Sequence, residues 1–260
     1  MKKVVLSAAA LMCGAMMFAQ ENQSAVSQSG NNNGSSVYQD GLEEIAYVSQ
    51  AGNNNTSDVR QYTTSNEAYV TQLGNSNAAK VEQNVEKPGD GNNFASQYQN
   101  GNYNTAFIGQ QGISNYTLNS TARQVQMGDG NSATIEQAGN TVESNQTQLG
   151  NNNRASDIQK GAYHISNVLQ TGNNNESDVK QSRSSHSSYV AQHGDQNDSF
   201  VNQDGIGNIS TVLQFGSYND SSVIQGRNVN GGNTHHTSSV YQNGSGNISK
   251  VEQFQASPTN

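Results

Sequence analysis

The chain has 260 residues, of which 31% are hydrophobic, 7% aromatic and only 12% charged, and its mean hydropathy is −0.80. So polar a chain lacks the side chains for the thick apolar core of an enzyme domain, while its low charge separates it from disordered chains, which combine low hydrophobicity with high net charge. A formal net charge of −8 and the lack of any basic stripe argue against nucleic acid as a partner.

Residues 1–19 read as a signal peptide. Lys2 and Lys3 form a basic start, Val4 to Phe18 an apolar stretch too short to span a membrane comfortably, and Ala19 a small residue at a cleavage site. The mature chain is therefore expected to be secreted and extracellular. Lipidation at Cys13 is the second reading, but Leu11 and Met12 stand where a small residue normally precedes a lipidated cysteine. Removing the signal removes the only Cys, so no disulfide staples what remains.

From there on the chain is one repeat. Gln28, Gln39, Gln50, Gln61, Gln72, Gln83, Gln99, Gln110, Gln126 and Gln137 mark its first half, and Gln148, Gln159, Gln170, Gln181, Gln192, Gln203, Gln214, Gln225, Gln242 and Gln253 its second, most of them eleven residues apart. The residue four places before each Gln is Ala or Ser, and the residue two places before is Val or Ile except at Gln97, Gln124, Gln146 and Asp157. Columns two apart with β-branched residues predict a short strand ending at each Gln.

The turns double the period to twenty-two. After every odd strand the chain reads Gln-x-Gly-x-x-Asn, pairing Gly30 with Asn33, Gly52 with Asn55, Gly74 with Asn77, Gly101 with Asn104 and Gly128 with Asn131. The pattern continues with Gly150 and Asn153, Gly172 and Asn175, Gly194 and Asn197, Gly216 and Asn219, and Gly244 and Asn247. Gly and Asn suit tight turns because both tolerate positive φ and the Asn amide bonds within its own turn. After even strands the turn is looser, with Thr63 or Arg183 at the Gly place and Glu44, Val142, His164 or His186 at the Asn place. The three length irregularities, between Gln83 and Gln99, Gln110 and Gln126, and Gln225 and Gln242, also fall there.

The expected fold is all-β: a two-sheet β-solenoid of about ten strand-turn-strand coils over residues 20–253, with 254–260 as a tail. Coils stack about 4.8 Å apart. Inside, the Ala/Ser, Val and Gln columns and the turn Asn residues face one another, and each buried amide is satisfied by its copy one rung away. Asp157 puts a carboxylate in the Val column, and its coil is expected to be among the weakest. Outward, odd strands carry residues such as Tyr47, Tyr69, Phe94, Leu169 and Tyr241, and even strands carry charge, such as Asp58, Arg60, Lys80, Glu176 and Lys250. One face suits lateral packing; the other stays solvated. With the first strand directly after the signal and the last ending at Gln253, no capping segment is expected, and an uncapped solenoid polymerises head to tail.

The motif Ser/Ala-x-Val-x-Gln-x-Gly-x-x-Asn-x-Ala/Ser-x-Val-x-Gln, as in Ser24 to Gln39 or Ser188 to Gln203, resembles the curlin repeat of curli fibre subunits. That resemblance implies an extracellular functional amyloid of the biofilm matrix, active in adhesion and aggregation. Its implied partners are itself, a nucleator subunit, an outer-membrane export channel and periplasmic chaperones. It assigns nucleation and growth to the Gln column and to turn Asn residues such as Asn33 and Asn247. The short non-repeat segment that addresses the export channel in the family has no counterpart before the first strand, and ten repeats stand where five are usual. A structural subunit is the favoured reading, with the nucleator as the alternative.

Other chemistry is faint. His164 and His186 stack in one column, but on a variable arc they are expected to be solvent-exposed rather than metal ligands. Glu176, Asp198 and Asp220 form an acidic column without the Gly-Gly-x-Gly-x-Asp signature of calcium-binding rolls, and it suits a gatekeeper against aggregation better. A uniform repeat offers no cleft for catalysis, so no cofactor and no small-molecule substrate are expected. A soluble ice- or glycan-binding solenoid calls for an aligned outward Thr ladder, which Thr56, Thr71, Thr134 and Thr211 do not form, and a monomeric adhesin calls for caps or an anchor.

Overall fold

A computed structural model describes residues 21–84, 91–111, 119–226 and 235–254. The predicted signal peptide with Cys13 and residues 255–260 of the tail lie outside the described residues, as do 85–90, 112–118 and 227–234, which belong to the three length irregularities.

The described residues form a two-sheet β-solenoid of twenty strands. One ten-stranded sheet stacks β1 (Gln23–Ser29), β3 (Ile45–Ala51), β5 (Glu67–Leu73), β7 (Phe94–Asn100), β9 (Thr121–Met127), β11 (Glu143–Leu149), β13 (Ile165–Thr171), β15 (Ser187–His193), β17 (Ile209–Phe215) and β19 (Thr237–Asn243). The other stacks β2 (Gly34–Leu42), β4 (Thr56–Thr64), β6 (Ala78–Gln83), β8 (Thr105–Gln111), β10 (Ser132–Asn140), β12 (Arg154–Ala162), β14 (Glu176–Ser184), β16 (Asp198–Ile206), β18 (Asp220–Gly226) and β20 (Ile248–Phe254). All pairings are parallel and in register, Val26 on Val48, Gln28 on Gln50 and, across an insertion, Gln72 on Gln99. β20 runs one residue past Gln253, because Phe254 still pairs with Gly226.

Strand alternation puts the Ala/Ser, Val and Gln columns inside and leaves the intervening residues outside, so most strands alternate between buried and accessible positions. The outward rings stack on one another along the odd sheet, as Tyr47 and Tyr69 do with centroids 5.6 Å apart. The apolar interior forms two clusters: one runs from Ala46 and Val48 to Ile135, the other from Ala155 and Val168 to Val240. The Val column is broken where one cluster gives way to the other, at Gln97 and Gln124 beside the end of the first, and at Gln146 and Asp157 beside the start of the second. All four are buried. The three glutamines are not defects: Gln97 Nε2 donates to Gln124 Oε1 at 3.0 Å and Gln124 Nε2 to Gln146 Oε1 at 3.1 Å, so they build a short amide ladder of their own.

The arcs after even strands are less loose than their sequences. Each arc of either kind has a left-handed residue just before its Asn-column position, Asn54, Ser76 and Asn152 in the strict arcs and Ser65, Thr141 and Ser185 in the others. Thr63 and Arg183, which replace Gly, adopt φ of 100° and 91°. The left-handed position before the Asn column is common to both kinds of arc, and what differs is the Gly place and how the side chains hold it.

Among the described residues no helix is long and apolar enough to cross a membrane.

Candidate assembly site

The column glutamines carry the coil-to-coil contact. On the odd sheet Gln28, Gln50, Gln72, Gln99, Gln126, Gln148, Gln170, Gln192, Gln214 and Gln242 form an unbroken chain, each Nε2 donating to the next Oε1 at 2.7 to 2.9 Å. On the even sheet Gln39 to Gln253 do the same at 2.8 to 3.0 Å. The second N–H of each amide crosses the interior: Gln50 donates to Gly34 O, Gln72 to Thr56 O, Gln61 to Ile45 O and Gln181 to Ile165 O. One side chain thus satisfies the ladder and ties the two sheets together, which is why the column is Gln and not the shorter Asn. Sequence reasoning found the ladder and missed the cross-tie, for which the uniform choice of the longer amide was the available signal.

The strict-arc asparagines do a second job. Asn33, Asn55, Asn77, Asn153, Asn175, Asn197, Asn219 and Asn247 all turn inward, the interior members being buried. Asn55 and Asn175 donate from both backbone N–H and Nδ2 to the Oδ1 of the coil before, and from Nδ2 to the Gly carbonyl of the coil after, Gly74 O at 2.8 Å and Gly194 O at 2.7 Å. The same grip joins Asn33 to Gly52, Asn153 to Gly172 and Asn197 to Gly216. In the other arcs, among the described residues, Asn22 alone makes this grip, on Gly41 O at 3.1 Å, while Asn66 reaches Tyr62 O and Asn208 reaches Asp204 O within their own arcs. Strictness in sequence therefore follows the next-coil grip: a carbonyl held from the coil before requires Gly52, Gly74, Gly150, Gly172, Gly194, Gly216 and Gly244 to keep one path. All seven have positive φ, between 103° and 121°, and Gly30 at the first edge has φ of 103°.

His164 and His186 correct an expectation: they are buried, at 0% and 1% exposure, with rings stacked 5.1 Å apart. Each occupies the Asn column and reproduces what Asn does there. His164 Nδ1 accepts the His186 backbone N–H and its Nε2 donates to Lys160 O; His186 Nδ1 accepts the Asn208 N–H and its Nε2 donates to Ser182 O. These four bonds require the neutral Nε2–H tautomer and leave no lone pair for a metal. Burial lowers both pKa values, that of His164 to about 4. Because the folded value lies below the ordinary one, the stabilisation is present above pH 6.5 and is lost as pH falls toward 4. Replacing both by Asn is expected to leave the denaturation midpoint at pH 7.5 within the equivalent of about 1 kcal/mol and to remove that acid loss. His164→Leu, which orphans the His186 N–H and Lys160 O, is expected to cost about 2 kcal/mol.

The acidic column Glu176, Asp198 and Asp220 lies in register at the start of β14, β16 and β18, with Arg154 paired to Glu176 one coil below. Burial and the neighbouring carboxylates raise the pKa of Asp198. Among the described residues no group of three or more His, Cys, Asp or Glu is arranged to hold a metal ion.

The two edges of the stack are chemically opposite. Interior Gln amides all donate toward the C-terminal end, so among the described residues Gln28 and Gln39 have Oε1 acceptors with no coil before them, while Gln242 and Gln253 have no coil beyond to receive an N–H. The strict-arc Asn ladder runs the other way, with Asn247 donating back to Asn219 Oδ1. β1 is exposed along its whole length and β20 is nowhere buried.

No curated protein matches the chain. The curlin associated repeat matches it twice, over residues 52–84 and 172–205, each match running from a strict-arc Gly through three consecutive strands. Over those two stretches the chain carries the curlin associated repeat.

Proposed function

We propose that this chain is the secreted structural subunit of a curli-like extracellular amyloid fibre, growing head to tail, and that the fibre serves the biofilm matrix in adhesion and aggregation. The observation that carries this reading is the polarity of the amide columns. A second copy placed beyond β19 and β20 sets Gln28 and Gln39 acceptors on Gln242 and Gln253 donors and sets Asn33 on Asn247, repeating the interior junction. Two like edges bring donor to donor or acceptor to acceptor, so growth is polar. Residues 1–19 serve export, the repeat region 20–253 forms the fibre, and an outer-membrane channel, periplasmic chaperones and a nucleator subunit are the partners that the curlin repeat implies. The chain acts as a structural element and not as an enzyme.

Diluting residues 20–260 from denaturant is expected to give a lag phase, thioflavin fluorescence and a meridional reflection near 4.7–4.8 Å. A monomer stable at micromolar concentration for days contradicts the proposal. Replacing Gln28 and Asn33, or Gln242 and Asn247, is expected to slow elongation several-fold more than replacing outward Asp58 or Lys80, read from seeded growth rates.

A further inference from the structure

The two outer faces of the solenoid differ sharply in its C-terminal half. The outward positions of β13, β15, β17 and β19 contain no Asp, Glu, Lys or Arg, whereas the matching strands of the other sheet carry, among others, Glu176, Asp178, Lys180, Asp198, Asp220 and Lys250. The uncharged face carries apolar side chains at half of its outward positions. Ile165, Tyr189, Ile209 and Tyr241 are exposed by 45, 41, 47 and 63%, and Leu169 and Leu213 form a stripe down its middle. Between those two leucines sits Ala191, an outward residue that is nonetheless only 2% exposed, so the stripe has a floor of one methyl flanked by two larger side chains. Constant register keeps this surface flat over consecutive coils, and flat uncharged sheet faces pack on one another about 10 Å apart.

We propose that this face is a lateral docking surface for a second copy of the same chain, so that fibres are built from two solenoids packed odd sheet to odd sheet, with the Leu169 and Leu213 stripes of the two copies facing each other. Area decides when pairing occurs. Strand spacing and residue rise give about 450 Å² for the four strands and about 1,100 Å² for the whole sheet face, against about 800 Å² per partner in a stable interface. A single chain offers too little apolar area to dimerise, but a fibre presents the patch once per subunit along its length, and the contacts then act together. Lateral pairing therefore follows axial growth. The even face, lined by charge, stays in water.

The inference rests on the fibre reading above, and mass per unit length of fibres grown from residues 20–260, measured by scanning transmission electron microscopy, separates the two. Wild-type fibres are expected to have twice the mass per length of one solenoid. Leu169→Glu/Leu213→Glu fibres are expected to have half the wild-type value, with unchanged thioflavin lag and axial repeat. Wild-type fibres of single-solenoid mass, or variant fibres that remain double, overturn the lateral contact while leaving axial assembly standing. A wild-type chain that forms no fibre overturns both. If the double variant does not assemble, Ala191→Arg takes its place, with the same halving expected and unhalved fibres counting against the proposal.

Discussion

Gly150→Ala is expected to destabilise the solenoid by about 3 kcal/mol and to lengthen the assembly lag severalfold, although it adds a single methyl group. Gly150 has φ of 120°, and a Cβ there falls 2.0 Å from the carbonyl oxygen of Gly172 in the next coil. Relief requires the φ seen at Arg183, 91°, which displaces the peptide. In the coil before Arg183 the column residue His164 bonds Lys160 O in its own arc, but the carbonyls of Gly150 and Gly172 are held by Asn131 and Asn153 of the coil before, at 2.7 and 2.8 Å. The substitution therefore combines backbone strain with the loss of about one buried hydrogen bond. Two other glycines separate these contributions. Gly246, at φ of 70° with nothing within 4 Å, is expected to show strain alone, about 1 kcal/mol when replaced by Ala. Gly34 has neither a left-handed φ nor a neighbour and is expected to tolerate Ala without measurable loss. Denaturation midpoints in the order Gly150 lowest, Gly246 intermediate and Gly34 unchanged check this account; equal effects at all three contradict it.

Asp157→Asn is expected to stabilise the protein by an amount that grows as pH rises from about 4 to about 7. Asp157 is fully buried in the Val column between Ile135 and Val179, with the Ser144 hydroxyl donating to its carboxylate and the Ser166 hydroxyl beside it. Burial raises its pKa from 3.8 to about 7. A carboxyl group held neutral by the fold is ionised in the unfolded chain above pH 4, so stability is greatest below that point, declines as pH rises to about 7 and is level beyond. A shift of that size corresponds to about 4 kcal/mol. The Asn variant has no such proton to lose, so its advantage over wild type is expected to approach that figure at pH 8 and to vanish near pH 3.5. Glu44, whose pKa burial also raises to about 7, is common to both proteins and cancels in the comparison. Urea titrations at the two pH values provide the test, and an advantage independent of pH refutes the assignment of charge burial as the cause.

The histidine column pulls in the opposite direction, since His164 and His186 lose their contribution as pH falls below 6.5. Both effects come from residues at places where the repeat departs from its consensus.

How much of this was open to inspection in the sequence varies by residue. The in-register columns are plain because a parallel ladder repeats the same environment at every rung, so Ser24, Ala46 and Ala68 answer one constraint and must look alike. The departures are harder. Gln97, Gln124 and Gln146 resemble errors in a Val column until their consecutive positions on one sheet show a second amide ladder, whose amides also reach Lys80 O, Phe107 O and Thr134 O across the interior. His164 and His186 suggest exposed residues because imidazole is polar and the arc variable, and only the direction of their ring nitrogens shows them to be substitutes for Asn.

The sequence by itself determined the strand period, the two-arc coil, the parallel register and the inward columns, because a stack of equal rungs converts each structural constraint into a periodic choice of residue. Only the tertiary structure decided which carbonyl each amide reaches, why one arc must keep its glycines while the other need not, and that the two edges differ in donor and acceptor. Those depend on the direction of bonds between coils, and direction is lost when a repeat is read as composition and spacing alone.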